Sequence, residues 1–183
     1  MQNIELEYRA LVSKDEHATL LEFLRVRGKD LGEDDKNVFF FILPDKLLKV
    51  VDNKSKNTAK IVLKLNKIGF GSDFEEIEIS IDPSDVEKSV GVFKALNFIE
   101  VQESFQKRHN FEYKGVEIAV KYSDEWGYHV ELEILLSDRS RMSEAEKQIH
   151  AVAEELALKI MSDEELREFT AKINANNRAK NGV

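Results

Sequence analysis

The sequence predicts an α+β protein in which about eight antiparallel strands close into a barrel, with helices packed on its outer surface. Segments that alternate polar and apolar residues recur along the chain, and helix-start signals separate them into two similar groups. No linker long enough to divide the chain into domains is present. Strands in this number commonly close into a barrel, because closure removes their exposed edges.

The first group opens with a strand over residues 3–12, which alternates apolar and charged side chains. Ser13 and Glu16 then form a capping-box pattern, which predicts a helix that ends at Gly28. Further strands are predicted over residues 37–43, 46–51, 59–67 and 74–81.

The second group opens with a helix signalled by Pro83-Ser84 and Glu87, which we expect to run to about Asn97. Strands are predicted over residues 98–112, 115–122 and 127–136, with hairpin turns between them. The same Ser-x-x-Glu signal predicts two more helices, which open at Ser143 and Ser162.

The chain end after Asn174 is rich in asparagine and other polar residues, which predicts fraying. We therefore expect a single domain over residues 1–174 and a flexible tail over residues 175–183. The C-terminal helices are expected either to close one mouth of the barrel or to form a dimer contact, so a monomer and a homodimer both stay open.

Composition excludes several classes of protein. The net charge of −8 disfavours a nucleic-acid-binding protein, which needs a basic face. No apolar run is long enough to span a membrane. The chain has no cysteine, so disulfides, thiolate catalysis and cysteine-bound metal are excluded, and a cytoplasmic location is expected.

Three predicted strands carry a Glu-x-Glu pattern, and each pair lies opposite an apolar face. The pairs are Glu5/Glu7, Glu76/Glu78 and Glu131/Glu133. Because alternate residues of a strand point the same way, each pair places two carboxylates on one face. Lysines are also concentrated between residues 46 and 67, where Lys60 and Lys64 share a face of one strand.

Two interpretations of these charged faces are open. An amphipathic strand ordinarily turns its charges to solvent. If the apolar helix faces cover the outside of the sheet instead, the charged face becomes the lumen of the barrel. Carboxylates in such a lumen require compensating protons or cations, and oxygen ligands suit Mg²⁺ or Mn²⁺. Lysines on neighbouring strands would then suit a phosphate that bridges to the metal.

The order of these motifs resembles the CYTH domain, also called the triphosphate tunnel metalloenzymes. Residues 4–9 (IELEYR) resemble its N-terminal Glu-x-Glu-x-Lys signature, and residues 126–133 (WGYHVELE) resemble its closing strand. Class IV adenylate cyclases, thiamine triphosphatases and inorganic triphosphatases belong to this family. The resemblance implies an eight-stranded antiparallel tunnel that binds a small-molecule triphosphate with Mg²⁺ or Mn²⁺.

The resemblance also implies roles for individual residues. It assigns the metal to Glu5, Glu7, Glu131 and Glu133, and the triphosphate to Arg9, Lys49, Lys64 and either Lys107 or Arg108. Glu76 and Glu78 match the acidic middle strand, and Lys60, His129 and Asp124 are further candidates for a lumenal or catalytic role.

This chain departs from the family pattern at several positions. Arg9 replaces the usual lysine, the Arg-x-Arg motif near residue 50 is reduced to Lys49-Val50-Val51, and Lys121 stands where an aspartate is expected. Trp126 is interpreted as a packing residue of the hairpin. We expect a metal-dependent triphosphate hydrolase; a class IV-type adenylate cyclase and a non-catalytic polyphosphate- or nucleotide-binding module are the alternatives.

Overall fold

The computed structural model describes residues 4–98 and 101–181. Residue 3 of the first predicted strand, residues 99–100 of the strand predicted over 98–112, and residues 182–183 of the predicted tail lie outside the described residues. No helix in the described ranges is both long and apolar enough to cross a membrane.

The barrel is built from antiparallel strands. Within the described residues the strands are β1 (Ile4–Leu11), β2 (Lys29–Glu33), β3 (Lys36–Ile42), β4 (Leu47–Asn53), β5 (Thr58–Lys64), β6 (Asp73–Ile81), β7 (Val101–Tyr113), β8 (Val116–Ser123) and β9 (Gly127–Leu136). The ring runs β7-β3-β4-β5-β6-β1-β9-β8 and closes because β8 also pairs with β7. The predicted eight-stranded antiparallel barrel is therefore confirmed.

Strand β2 is an addition to the ring that the sequence did not predict. It pairs with β7 alone, and its register shifts between Asp30 and Gly32. The bulge breaks the polar–apolar alternation of β2, and the side chains of this strand stay partly or fully exposed. No period-two pattern was therefore available to mark this strand.

Four helices lie in the described residues, and two of their predicted starts are confirmed. The helices are α1 (Lys14–Arg27), α2 (Val86–Ala95), α3 (Met142–Glu155) and α4 (Asp163–Asn181). Ser13 forms the predicted capping box with Glu16. Ser162 does the same, since its Oγ accepts from the Glu165 amide at 3.2 Å and its own amide donates to Glu165 at 2.8 Å.

The predicted start of the third helix at Ser143 is wrong. A 3₁₀ turn over Arg139–Arg141 precedes α3, and the side chain of Asp138 caps that turn by accepting from the Ser140 amide. Because Asp138 reaches the free amides one turn earlier, Ser143 lies inside the helix.

The polar segment after Asn174 continues helix α4 as far as Asn181. Residues of α4 up to Asn174 anchor the helix to the barrel. Phe169 packs on Trp126 with 4.9 Å between ring centroids, and the Asn174 side chain accepts from Gln102 at 2.9 Å. Helix α4 thus lies against one end of the barrel.

The two larger hydrophobic clusters lie outside the barrel wall, and a small third one, around Val38 and Val51, faces the lumen. One cluster packs α1 and α3 on the outer face of β8 and β9, with Leu24, Ile118, Leu132 and Ile149 fully buried. A second cluster packs α2 on the outer face of β3 and β4 through Phe41, Val50 and Val86. Helices cover the apolar faces of β3, β4, β8 and β9, whereas Ile77 and Ile79 on the outer face of β6 stay exposed. The alternating charges on the other faces of the strands point into the lumen.

Candidate active site

The barrel encloses a cavity of about 800 Å³ whose lining is densely charged. The acids are Glu5, Glu7, Asp34, Glu76, Glu78, Glu117, Glu131 and Glu133, and the cations are Arg9, Lys36, Lys49, Lys56, Lys60, Lys64, Arg108 and Lys121. Eight acids face eight cations, so the lumen is close to neutral as a whole. Along the lumen, however, the acidic and basic side chains are grouped differently from one part to the next.

Lys64 lies at the centre of an acidic group formed by β1, β5 and β6. Its ammonium lies 3.0 Å from Glu7 and 2.8 Å from Glu76, and it also pairs with Glu5. Although burial opposes the charge, these carboxylates raise the pKa of Lys64 above its ordinary value. Lys64 is therefore a fixed cation that the three acids share and that offsets part of their charge.

Glu133 belongs to the same acidic group but forms no ion pair with a lysine or arginine in the part of the chain that the structure describes. Burial, followed by the charges of Glu5 and Glu7, raises the pKa of Glu133 to about 9. The carboxyl group is thus protonated at neutral pH, and it loses its proton only when a cation joins the group or the pH rises.

The raised pKa of Glu133 predicts how stability changes with pH in the metal-free protein. A glutamate in the unfolded chain has a pKa near 4.5. The folded state therefore holds one more proton between that value and about pH 9, and this contribution is fully present below pH 4.5 and lost as the pH rises toward 9. Urea unfolding at intervals from pH 5 to pH 9 should show a decline that Glu133→Gln flattens. An equal decline in the variant would contradict the assignment.

Glu131 lies two residues from Glu133 on β9 but is surrounded by cations. Its carboxylate lies 3.2 Å from Arg9, 2.9 Å from Lys121 and 3.3 Å from Arg108. Burial opposes its ionisation, yet the three cations hold the pKa of Glu131 well below the usual range. We call Glu131 with these three cations the cation wall.

A second ionic cluster surrounds Asp34, whose carboxylate also lies 3.5 Å from Arg108 of the cation wall. This carboxylate accepts from Asn53 at 2.6 Å and pairs with Lys36 at 2.7 Å and Lys56 at 3.0 Å. Although burial opposes its charge, these neighbours lower the pKa of Asp34 to about 2. The sequence did not identify Asp34 or Lys36, because they flank the β2–β3 turn, where no alternation marks an inward side chain.

Two lumenal residues stand apart from the ionic clusters. Lys49 has no ion pair within the described part of the chain, and burial, followed by the charge of Lys64, lowers its pKa to about 8. Burial and then Lys121 lower the pKa of His129 to about 3, so its imidazole is neutral, and its Nδ1 donates to the Gly127 carbonyl at 3.0 Å. Lys49 therefore remains available to an anion.

Most of the residues predicted from the sequence line the lumen, and two do not. Those inside are Glu5, Glu7, Arg9, Lys49, Lys60, Lys64, Glu76, Glu78, Arg108, His129, Glu131 and Glu133. Lys107 is exposed on the outer face of β7, because Arg108 takes the inward position beside it. Asp124 is exposed in the β8–β9 turn, where it accepts from the Tyr122 hydroxyl at 3.0 Å.

Trp126 is more than a packing residue of the hairpin. Its ring lines the lumen, lies 5.2 Å from the His129 ring and stacks beneath the Arg9 guanidinium at 5.7 Å. The sequence signal that could have indicated this is its position directly before the inward-facing series of β9.

The acidic group has the chemistry of a divalent-metal site. Carboxylate oxygens are the ligands that Mg²⁺ and Mn²⁺ prefer. Buried oxygens of Glu7 and Glu76 have ion-pair contacts but no hydrogen bond of good geometry, so the group has acceptors to spare. Among the described residues no three acids converge into a ready-made metal site, because the Lys64 ammonium stands between them. The donor set thus fits a hard cation that exchanges contacts with Lys64.

Solved structures confirm the barrel architecture. The PH1012 protein of Pyrococcus horikoshii OT3 matches with a TM-score of 0.71 and 25% identity over 86% of this chain and 94% of that one. A protein from Hippeastrum, named as a candidate adenylyl cyclase and found to have a dominant triphosphatase activity, matches with a TM-score of 0.60 and 16% identity over 86% of this chain and 89% of that one. A likeness at that identity concerns the fold alone.

No curated protein matches the chain. The model of the CYTH domain matches residues 3–165, which include every strand of the barrel and the acidic pairs of β1 and β9. The chain therefore belongs to the CYTH family.

Proposed function

We propose that this protein is a divalent-metal-dependent triphosphatase that hydrolyses a small-molecule triphosphate inside the barrel. One observation supports this most directly: an oxygen-rich acidic group with spare acceptors lies beside cations that can receive phosphates. A linear triphosphate needs both partners, because its oxygens are neutralised by metal ions and by lysine or arginine together.

Glu5, Glu7 and Glu133 are the residues that would hold Mg²⁺ or Mn²⁺ in this proposal. Glu133 would give up its proton, and Lys64 would turn from Glu7 toward the phosphates. A bound divalent ion would supply charge neutralisation for the phosphate oxygens and a more acidic water. Glu131 is left out of this set, because its three cations already satisfy its oxygens.

The phosphates are assigned to Lys49, Arg9, Arg108 and Lys121. An arginine has five N–H donors, so Arg9 and Arg108 can hold Glu131 and still donate to a phosphate. Lys49 has no competing partner in the described residues and would bind first. These groups orient the phosphate chain and stabilise the charge that moves onto the leaving group.

Product analysis tests the proposal. The purified protein is incubated with tripolyphosphate, thiamine triphosphate or ATP, each with Mg²⁺, with Mn²⁺ or with EDTA. Metal-dependent release of orthophosphate is the expected result. Cyclic AMP with pyrophosphate would instead establish a cyclase, and tight binding with no product would establish a binding module.

Lys49→Ala is expected to weaken the use of tripolyphosphate while leaving the fold intact. A charge-assisted hydrogen bond contributes about 1.5–3 kcal/mol, so kcat/KM should fall roughly 10- to 150-fold. Lys107→Ala is the matched control, because Lys107 lies on the outer face of the same barrel. Equal kcat/KM values for Lys49→Ala and Lys107→Ala would contradict a role for Lys49 in binding the triphosphate.

A cytoplasmic location is also proposed, since the chain contains no cysteine and needs no oxidising compartment.

A further inference from the structure

Lys121 places a buried ammonium group in the cation wall. Its side chain is only 5% exposed, and its Nζ lies 2.9 Å from the Glu131 carboxylate. The barrel fixes this position, because Lys121 of β8 pairs with Arg108 of β7 on one side and with His129 of β9 on the other. The ammonium is therefore a built-in part of the lumen.

Cations already engage both carboxylate oxygens of Glu131. Its Oε1 accepts from Arg9 Nε at 3.2 Å. Its Oε2 lies 2.9 Å from Lys121 Nζ and 3.3 Å from the Arg108 guanidinium. A divalent ion binds carboxylate oxygens by direct contact, so it would have to displace these donors to reach Glu131.

Among the three cations of the wall, Lys121 alone is dedicated to the wall carboxylate. Arg9 also pairs with Glu7, and Arg108 also lies 3.5 Å from Asp34. Lys121 has no second acidic partner in the described part of the chain. A change of charge at Lys121 therefore alters the surroundings of that carboxylate and leaves the two shared pairs in place.

The inward face of β9 has too little positive charge at one level and a surplus at the next. Burial, followed by the glutamates of β1, raises the pKa of Glu133 to about 9, so the acidic group lacks a cation. Burial lowers the pKa of Lys121 to about 8; Glu131 opposes this fall and Arg108 adds to it. A further cation is therefore favoured in the acidic group and repelled at the wall.

A divalent ion at Glu131 would share that carboxylate with three fixed positive charges. Like charges in contact with the same oxygens repel strongly in a buried, poorly hydrated space. The Lys121 ammonium already supplies what such an ion would supply, namely a positive charge in direct contact with the carboxylate. Because the ammonium is covalently attached, no metal concentration removes it.

We propose that the Lys121 ammonium takes the place of a divalent cation beside Glu131, so that the lumen binds a single divalent ion, in the acidic group. The inference rests on the proposed function and specifies its metal content. It departs from the set of four glutamate ligands expected from the sequence, because one of the four has a side chain as its cation. Phosphates at the wall are then neutralised by fixed side chains alone.

Counting bound Mn²⁺ tests the proposal without turnover. The full chain is titrated with Mn²⁺ at pH 7 in the absence of any triphosphate, and electron paramagnetic resonance measures the free ion. The parent protein should bind one Mn²⁺ per chain. Lys121→Arg and Lys121→Met should also bind one, because arginine keeps the charge and methionine adds no ligand.

Lys121→Glu should raise the count from one Mn²⁺ to two. The change places a second carboxylate beside Glu131, while the two arginines of the wall stay shared with other acids. Mn²⁺ should also raise the melting temperature of this variant more than that of the parent. Lys107→Glu is the matched control, because it reverses the same charge on the outer face of the barrel and should still bind one ion.

The count on the parent protein decides the inference even if Lys121→Glu does not fold. Two bound ions, or none, would overturn the inference, and so would a folded Lys121→Glu protein that binds only one. The proposed function is judged separately by product analysis. A parent that binds one Mn²⁺ but releases no orthophosphate from any triphosphate would refute the triphosphatase proposal, whereas a parent that hydrolyses tripolyphosphate with two bound ions would refute only the role of Lys121.

Discussion

Glu131→Gln is expected to destabilise the metal-free protein by about 3–5 kcal/mol, whereas Glu133→Gln should leave its stability at pH 7 unchanged or slightly higher. The first change leaves Arg9, Arg108 and Lys121 buried together without their common counter-ion. The second replaces a carboxyl group that is already neutral at this pH, because its pKa is raised to about 9.

Urea unfolding at pH 7 in EDTA measures both free energies of unfolding. Both variants make the same Glu→Gln change on the inward face of β9, but only Glu131→Gln removes a charge at this pH, so each controls for the other. Equal losses would contradict the division of the lumen into an acidic group and a cation wall. Under the proposed function, Glu133→Gln should nevertheless lose metal-dependent activity, which separates a metal ligand from a structural anion.

Lys64→Met is expected to cost about 3–5 kcal/mol in EDTA and to make stability depend on divalent metal. Methionine keeps the aliphatic stem of the side chain but removes the cation that Glu5, Glu7 and Glu76 share. Mg²⁺ or Mn²⁺ should then replace the missing charge. A concentration of 100 times the dissociation constant would restore about 2.7 kcal/mol.

Thermal unfolding with and without metal measures this rescue. Lys60→Met is the matched control, because the Lys60–Glu78 pair lines the same lumen but is 40% and 43% exposed. Pairs of that exposure contribute about 0–1 kcal/mol, so the control should change little. A Lys64→Met protein that metal does not stabilise would argue against a cation site among these acids.

Alternation along the strands predicted which side chains share a face, and most of the lumen followed from it. A shift of one residue in register moves every side chain of a strand to the opposite face. For this reason the sequence left Lys107 and Arg108 as alternatives for the inward position. The sequence contains both cations in adjacent positions, and only the pairing of β7 with β3 and β8 determines that Arg108 points inward.

The different environments of Glu131 and Glu133 could not be predicted from the Glu-x-Glu motif. Both glutamates point into the lumen, and what separates them is the neighbours that distant strands bring to each level. Lys121 comes from β8 and Arg108 from β7, whereas Glu5 and Glu7 come from β1.

The pairing of β1 with β9 has a consequence for how the chain acquires its structure. Arg9 and Glu131 are 122 positions apart, and the ring cannot close until both strands exist. Contacts of such long range slow folding, because a large loop must be ordered before they form. On a ribosome that adds about 5–20 residues per second, on the order of ten seconds separate the synthesis of β1 from that of β9. Its edge and its glutamates stay open to water through that interval, so the last hairpin to be synthesised completes the barrel and the site together.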